Sequence, residues 1–83
     1  MQLTKLQYHL GTTTESLTAR IHYNGRGVNV RFNCLNDELI IYRGYLIPRE
    51  ELKLIIKILK DFFHATYKER SWPTLPKMIQ FDI

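Results

Sequence analysis

Apolar and polar side chains alternate strictly over 16–24. Leu17, Ala19, Ile21 and Tyr23 share one side, and Ser16, Thr18, Arg20 and His22 share the other. A period of two marks a strand with one buried face. Asn24-Gly25 follows, a strong hairpin signal because a type I′ turn needs positive φ at both central residues. Alternation then resumes, with Val28, Val30, Phe32 and Cys34 against Asn29, Arg31 and Asn33. A two-residue turn pairs Tyr23 with Arg26, Ile21 with Val28, Ala19 with Val30 and Leu17 with Phe32. Apolar residues then meet apolar residues across one sheet face.

Asn36-Asp37 reads as a second turn and 38–46 as the next strand. Pairing Leu35 with Glu38 sets Cys34 against Leu39 and Phe32 against Ile41. The same register carries Arg43 inward opposite Val30, a poor place for an unpaired charge. A bulge near Arg43-Gly44 is therefore expected, turning the arginine out and Tyr45 or Leu46 in. The N-terminal stretch fits two patterns. Leu6, Tyr8 and Leu10 suit a strand, while Leu3, Leu6 and Leu10 suit one helix face. Gly11 and the threonines at 12–14 read as a turn and favour the strand.

Pro48 opens a helix, with Glu50 and Glu51 complementing the dipole of its first turn. Periodicity carries it to about Arg70, where Lys68 and Arg70 suit a C-terminal end and Ser71-Trp72-Pro73 stops it. Leu52, Ile55, Ile56, Leu59, Phe62 and Phe63 form the core-facing stripe. Leu54, Ile58 and Ala65 widen the apolar arc to roughly 200°, more than one sheet face covers. The tail with Trp72, Leu75 and Met78, or a second copy of the chain, is expected over that arc. Lys53, Lys57, Lys60, His64 and Lys68 occupy the remaining face, and the plainer reading of such a charge run is solvation. Ile79, Phe81 and Ile83 alternate and suit a short final strand.

The fold expected is α+β. It has an antiparallel sheet of about four strands in β-β-β-β-α order, one long C-terminal helix on one face and an extended apolar tail. One domain spans 1–83, with its core in 3–70 and its tail in 71–83. At 83 residues the chain buries only about 60–65% of its unfolded surface, so modest stability is expected.

A single cysteine, Cys34, leaves no intramolecular disulfide and suits a reducing compartment. Met1-Gln2-Leu3-Thr4-Lys5 leads into mixed sequence without an apolar leader region, and the apolar stretch over 52–63 is broken by Lys53, Lys57, Lys60 and Asp61. No membrane partner is expected, and the cytoplasm is the default location (the host-cell interior if the source is viral). Net charge is +4, two units from each half of the chain, so a basic patch has to arise from how the fold sorts charges onto faces.

The patterns that mark catalytic and metal chemistry are not met. His9, His22 and His64 lack zinc spacing, and one cysteine cannot build a thiolate site. Cys34 lies at an inward strand position, which suits a buried structural thiol better than a nucleophile. Asn24-Gly25-Arg26-Gly27 lacks the following helix of a phosphate loop. The adjacent acids Asp37-Glu38 and Glu50-Glu51 fit a turn and a helix start. No enzyme, cofactor or metal site is expected.

The face away from the helix carries Thr18, Arg20, His22, Asn29, Arg31, Asn33, Ile40 and Tyr42. Cations interleaved with a ring on an open sheet suit single-stranded nucleic acid, since cations neutralise phosphates while rings and guanidinium planes stack bases. The candidate nucleic-acid residues are Arg20, His22, Arg31, Tyr42 and Arg43. The strand–strand–strand–strand–helix order over about 3–68 resembles the layout of the single-stranded-DNA-binding family of the transcriptional positive cofactor, on topology and not on any motif. A non-enzymatic nucleic-acid-binding accessory factor is the first functional expectation. The second is a protein-binding inhibitor or adaptor, of the kind a virus or mobile element encodes. It would act through the helix, tail or sheet edge, with Leu54, Ile58, Trp72 and Leu75 as partner-binding residues; a homodimer would use the same surface.

Overall fold

The computed structural model describes residues 1–69 and 78–80. Five strands form one antiparallel sheet: β1 (Gln2–Leu10), β2 (Glu15–Tyr23), β3 (Arg26–Asn33), β4 (Glu38–Ile41) and β5 (Met78–Gln80), in the order β4-β3-β2-β1-β5. A short 3₁₀ turn, Gly44–Leu46, leads to a long helix, α1 (Arg49–Glu69), which covers one sheet face. The fold is therefore α+β, with β5 added to the four strands that precede the helix. It pairs Gln80, Ile79 and Met78 with Gln2, Leu3 and Thr4 of β1, so a final strand forms where alternation suggested one.

The β2–β3 hairpin has the expected register, Tyr23 with Arg26 through Leu17 with Phe32. Asn24 and Gly25 sit at φ 50° and 75°, the backbone a type I′ turn demands. Leu17, Ala19, Ile21, Val28, Val30 and Phe32 are all buried beneath α1. From the helix, Ile55, Leu59 and Phe63 reach the centre of the core, while Leu52 and Phe62 pack at its margin. Phe32 and Phe63 stack with ring centroids 5.7 Å apart. Thr66 is also buried, its hydroxyl donating to the Phe62 carbonyl at 2.7 Å.

Strand β4 differs from expectation in register and length. Phe32 pairs with Leu39 and Val30 with Ile41, two residues away from the expected pairing. A four-residue loop, 34–37, replaces the two-residue turn. Side chains close it: the Leu35 N–H donates to Asn33 Oδ1, the Glu38 N–H donates to Asn36 Oδ1, and Asp37 takes φ 56°. A slip of two preserves which side chains face inward.

No bulge forms at Arg43-Gly44. Pairing ends at Ile41, with one last bond from the Tyr42 N–H to the Asn29 carbonyl at 2.9 Å. Arg43 then turns the chain in the left-handed conformation, φ 59° and ψ 32°, into the 3₁₀ turn. Arg43 does point out, but Tyr45 is 82% exposed and Leu46 is also exposed; Ile47 fills the core instead.

At the N-terminus the strand reading holds, with a bulge inside it. Thr4 pairs with Arg20 and Gln7 with Thr18, so Lys5 and Leu6 together oppose Ala19. Lys5 sits at φ 56°. The bulge turns both Leu3 and Leu6 into the core and explains their helix-like spacing.

Of the widened helix arc, Leu54 is 51% exposed, Ala65 is exposed and Ile58 is half-buried. Coverage of Leu54 is thus not supplied by the described residues. Trp72 and Leu75 lie outside them, as do the helix end at Arg70 and the tail residues 71–77 and 81–83. No helix among the described residues is long and apolar enough to cross a membrane.

Candidate nucleic-acid interface

The sheet face opposite α1, open among the described residues, is built from outward positions of β1, β2 and β3, extended past β4 by Tyr42. Register puts Thr4, Arg20 and Asn29 in one row across three strands, and the Tyr42–Asn29 backbone bond continues that row. Tyr42 therefore sits beside Asn29; the expected neighbour, Arg31, pairs instead with Thr18 and Ile40. The two-residue slip of β4 moves the ring one rung closer to Arg20.

Arg20 is held in place. Its Nη1 donates to Asn29 Oδ1 at 3.0 Å. Its guanidinium rests over residue 27, where a Cβ would lie 2.3 Å from Nη2 and 2.5 Å from Cζ. Gly27 has no positive φ to accommodate, so its missing side chain serves the arginine rather than the backbone.

Two adjoining depressions mark the surface and share Arg20, Asn29 and Tyr42. One, about 300 Å³, adds Lys5, Gln7, Thr18 and Arg31. The other, about 540 Å³, adds Arg26, Gly27, Arg43 and Leu46. Among the described residues five cations thus line the pair, with a tyrosine 47% exposed at the junction and no carboxylate. Acids are drawn elsewhere. Glu15 accepts hydroxyl hydrogen bonds from Tyr8 and Tyr67, and Glu51 accepts one from Tyr23. Asp37 pairs with His64 at 3.4 Å, and Glu38 stands at the far end of β4, held by Asn36.

Arg20, Arg31, Tyr42 and Arg43 all border the two depressions; alternation put the first three on this face, whereas Arg43 reaches it through the left-handed turn after β4 and not through the expected bulge. His22 is exposed but borders neither depression; its Nε2 shares a 2.9 Å hydrogen bond with Thr4 Oγ1. His9 makes a similar bond, 2.7 Å, to Thr18 Oγ1. Sequence reasoning missed Lys5, Arg26 and Gly27. Lys5 and Arg43 are two of the four non-glycine residues at positive φ among the described residues, and each lines one depression. Long β-unbranched cations seldom adopt that conformation, while Asn24 and Asp37 tolerate it readily.

Burial pushes the Cys34 thiol up to about 11, reinforced by the nearby Glu15 and Asp37. Such a thiol is a poor nucleophile at neutral pH. Among the described residues no three His, Cys, Asp or Glu side chains cluster as metal ligands would. No family model matches this chain, and neither the curated proteins nor the solved structures contain a significant match to it.

Proposed function

We propose that the protein is a non-enzymatic binding protein that holds single-stranded nucleic acid on the open face of its sheet. The observation that carries this reading is the grouping of Lys5, Arg20, Arg26, Arg31 and Arg43 around two adjoining depressions that meet at Tyr42, with no acid lining them among the described residues. Cations at that density attract a phosphate backbone and release its counterions. An exposed ring at the junction offers a base a stacking surface, which only an unpaired strand can use. Arg20, already tied to Asn29 and seated over Gly27, loses little freedom when it takes a phosphate. The test is fluorescence anisotropy with a labelled oligonucleotide, alone and annealed to its complement, across a salt series. Preferential binding of the unpaired strand, weakening as salt rises, is expected. Equal affinity for the duplex, or salt-independent binding, would count against the reading.

A second reading, a protein-binding inhibitor or adaptor, is favoured by exposed apolar side chains near the start of the helix: Tyr45, Leu46 and Leu54. Apolar groups left in water beside one another are a common mark of a protein contact. Self-association measured by sedimentation, with and without Leu54→Lys, tests whether that surface is used by a second copy.

A further inference from the structure

The larger depression has more positive charge than one internal phosphodiester needs. Three arginines from three separate segments border it: Arg20 from β2, Arg26 from the start of β3 and Arg43 from the turn after β4. They approach from different sides. Arg20 lies over Gly27 on the open face, whereas Arg26 reaches toward the 3₁₀ turn and donates to the Leu46 carbonyl at 3.4 Å. Arg43 holds the left-handed conformation and lines the depression from the turn after β4. Strain of this kind at a non-glycine residue is concentrated in ligand-binding sites.

Gly27 is part of its lining. The antiparallel ladder alternates, and Asn29 uses its carbonyl toward Tyr42 on the β4 side. Two residues earlier in the strand, the Gly27 peptide faces the same way, past the point where β4 pairing has ended. The depression is therefore a notch at the end of the sheet, with Gly27 in its lining and three guanidinium groups around it.

We propose that this notch binds a dianionic phosphate, the terminal phosphate of a single strand whose adjoining nucleotides lie over Tyr42 and the smaller depression. The proposal rests on the single-strand reading above and adds the part of the strand that is recognised. An internal diester carries one negative charge. A terminal monoester carries close to two and exposes an additional oxygen acceptor, which matches three arginines better.

Anisotropy with three labelled oligonucleotides of one sequence tests this: unphosphorylated, 5′-phosphorylated and 3′-phosphorylated, each against the wild-type protein and Arg43→Gly. Glycine adopts φ 59° without strain, so this variant removes the guanidinium while keeping the turn; thermal unfolding checks that it does. One phosphorylated end should bind about tenfold tighter than the unphosphorylated strand, and Arg43→Gly should bring that ratio close to one. Equal wild-type affinity for all three would overturn the terminal-phosphate assignment and leave single-strand binding standing. A phosphate preference undiminished in Arg43→Gly would also overturn it, by placing the contact elsewhere. Failure of all three to bind would remove the single-strand reading and the terminal assignment together.

Discussion

The guanidinium of Arg20 occupies the space that a Cβ on residue 27 would fill, 2.3 Å from Nη2 and 2.4 Å from Nε. A glycine in a strand interior otherwise weakens the strand, so its presence there is explained by what lies above it. Gly27→Ala should leave the fold intact, since only the mobile end of one side chain has to move. The melting temperature should stay the same or rise slightly, because alanine reduces the freedom of the unfolded chain. Affinity for single strands should fall by about 1 kcal/mol as Arg20 loses its place beside Asn29. Circular dichroism melting and anisotropy on one preparation check both halves of this expectation.

Lys5 makes the complementary case. At φ 56° it strains the backbone by about 1–3 kcal/mol, and glycine would relieve that strain while adding roughly 0.4–1 kcal/mol of unfolded-state freedom. Lys5→Gly should therefore be no less stable than the parent by urea unfolding, yet bind single strands more weakly and with a shallower salt dependence. A variant that is markedly destabilised would show that Lys5 supports the bulge by contacts rather than supplying charge.

The hairpin over 16–33 was fully legible because a turn signal and two alternating runs agreed on one register. The helix was legible because proline, two acids and a regular apolar stripe all marked it, with Ile55, Leu59 and Phe63 on the buried side. The register of β4 was not, because Asn33 and Asn36 close their loop through their own side chains and a slip of two leaves the apolar pattern unchanged. Nor were the two left-handed cations, since nothing about a lysine or an arginine marks it for that backbone. Arg20, Arg31 and Tyr42 could be placed on the open face from alternation, while Arg43 was expected there only through a bulge that does not form, and Lys5 and Arg26 were not expected there.

The core prediction follows from the Phe32–Phe63 stack. Phe63 is fully buried, and Phe63→Ala should cost about 3–5 kcal/mol, a large share of what a domain this small has. Leu54→Ala, on the exposed side of the same helix, should change stability by less than about 0.5 kcal/mol. Chemical denaturation of the two variants side by side checks the packing of α1 against the sheet.

Glu15 links β1, β2 and the end of α1 by accepting from both Tyr8 and Tyr67. The hydrogen bond to Glu15, then burial and the charge on Glu15, push Tyr8 up to about 12, and the corresponding bond to Glu51 raises Tyr23. Both shifts favour the neutral phenol in the folded state. Their contribution to stability is thus complete below pH about 10, the ordinary tyrosine value, and is lost for Tyr8 as pH rises through about 12. An ultraviolet titration of the folded protein should show late-ionising tyrosines. Glu15→Ala should bring Tyr8 back toward its ordinary range; an unchanged titration would mean the Tyr8–Glu15 bond does not persist in solution.

The salt dependence of single-strand binding, compared between sheet and helix variants, tests the central claim most directly. Arg20 and Arg31 line the depressions, whereas Lys53 and Lys57 are exposed on the helix that covers the opposite face. Arg20→Ala and Arg31→Ala should each weaken binding and lower the slope of log affinity against log salt by roughly 0.7 for every phosphate left without its arginine. Tyr42→Ala should cost about 1–3 kcal/mol with the slope little changed, because stacking releases few counterions. Lys53→Ala and Lys57→Ala should leave both quantities close to wild type. Equal losses from helix and sheet variants, or no measurable binding at low salt, would contradict the account.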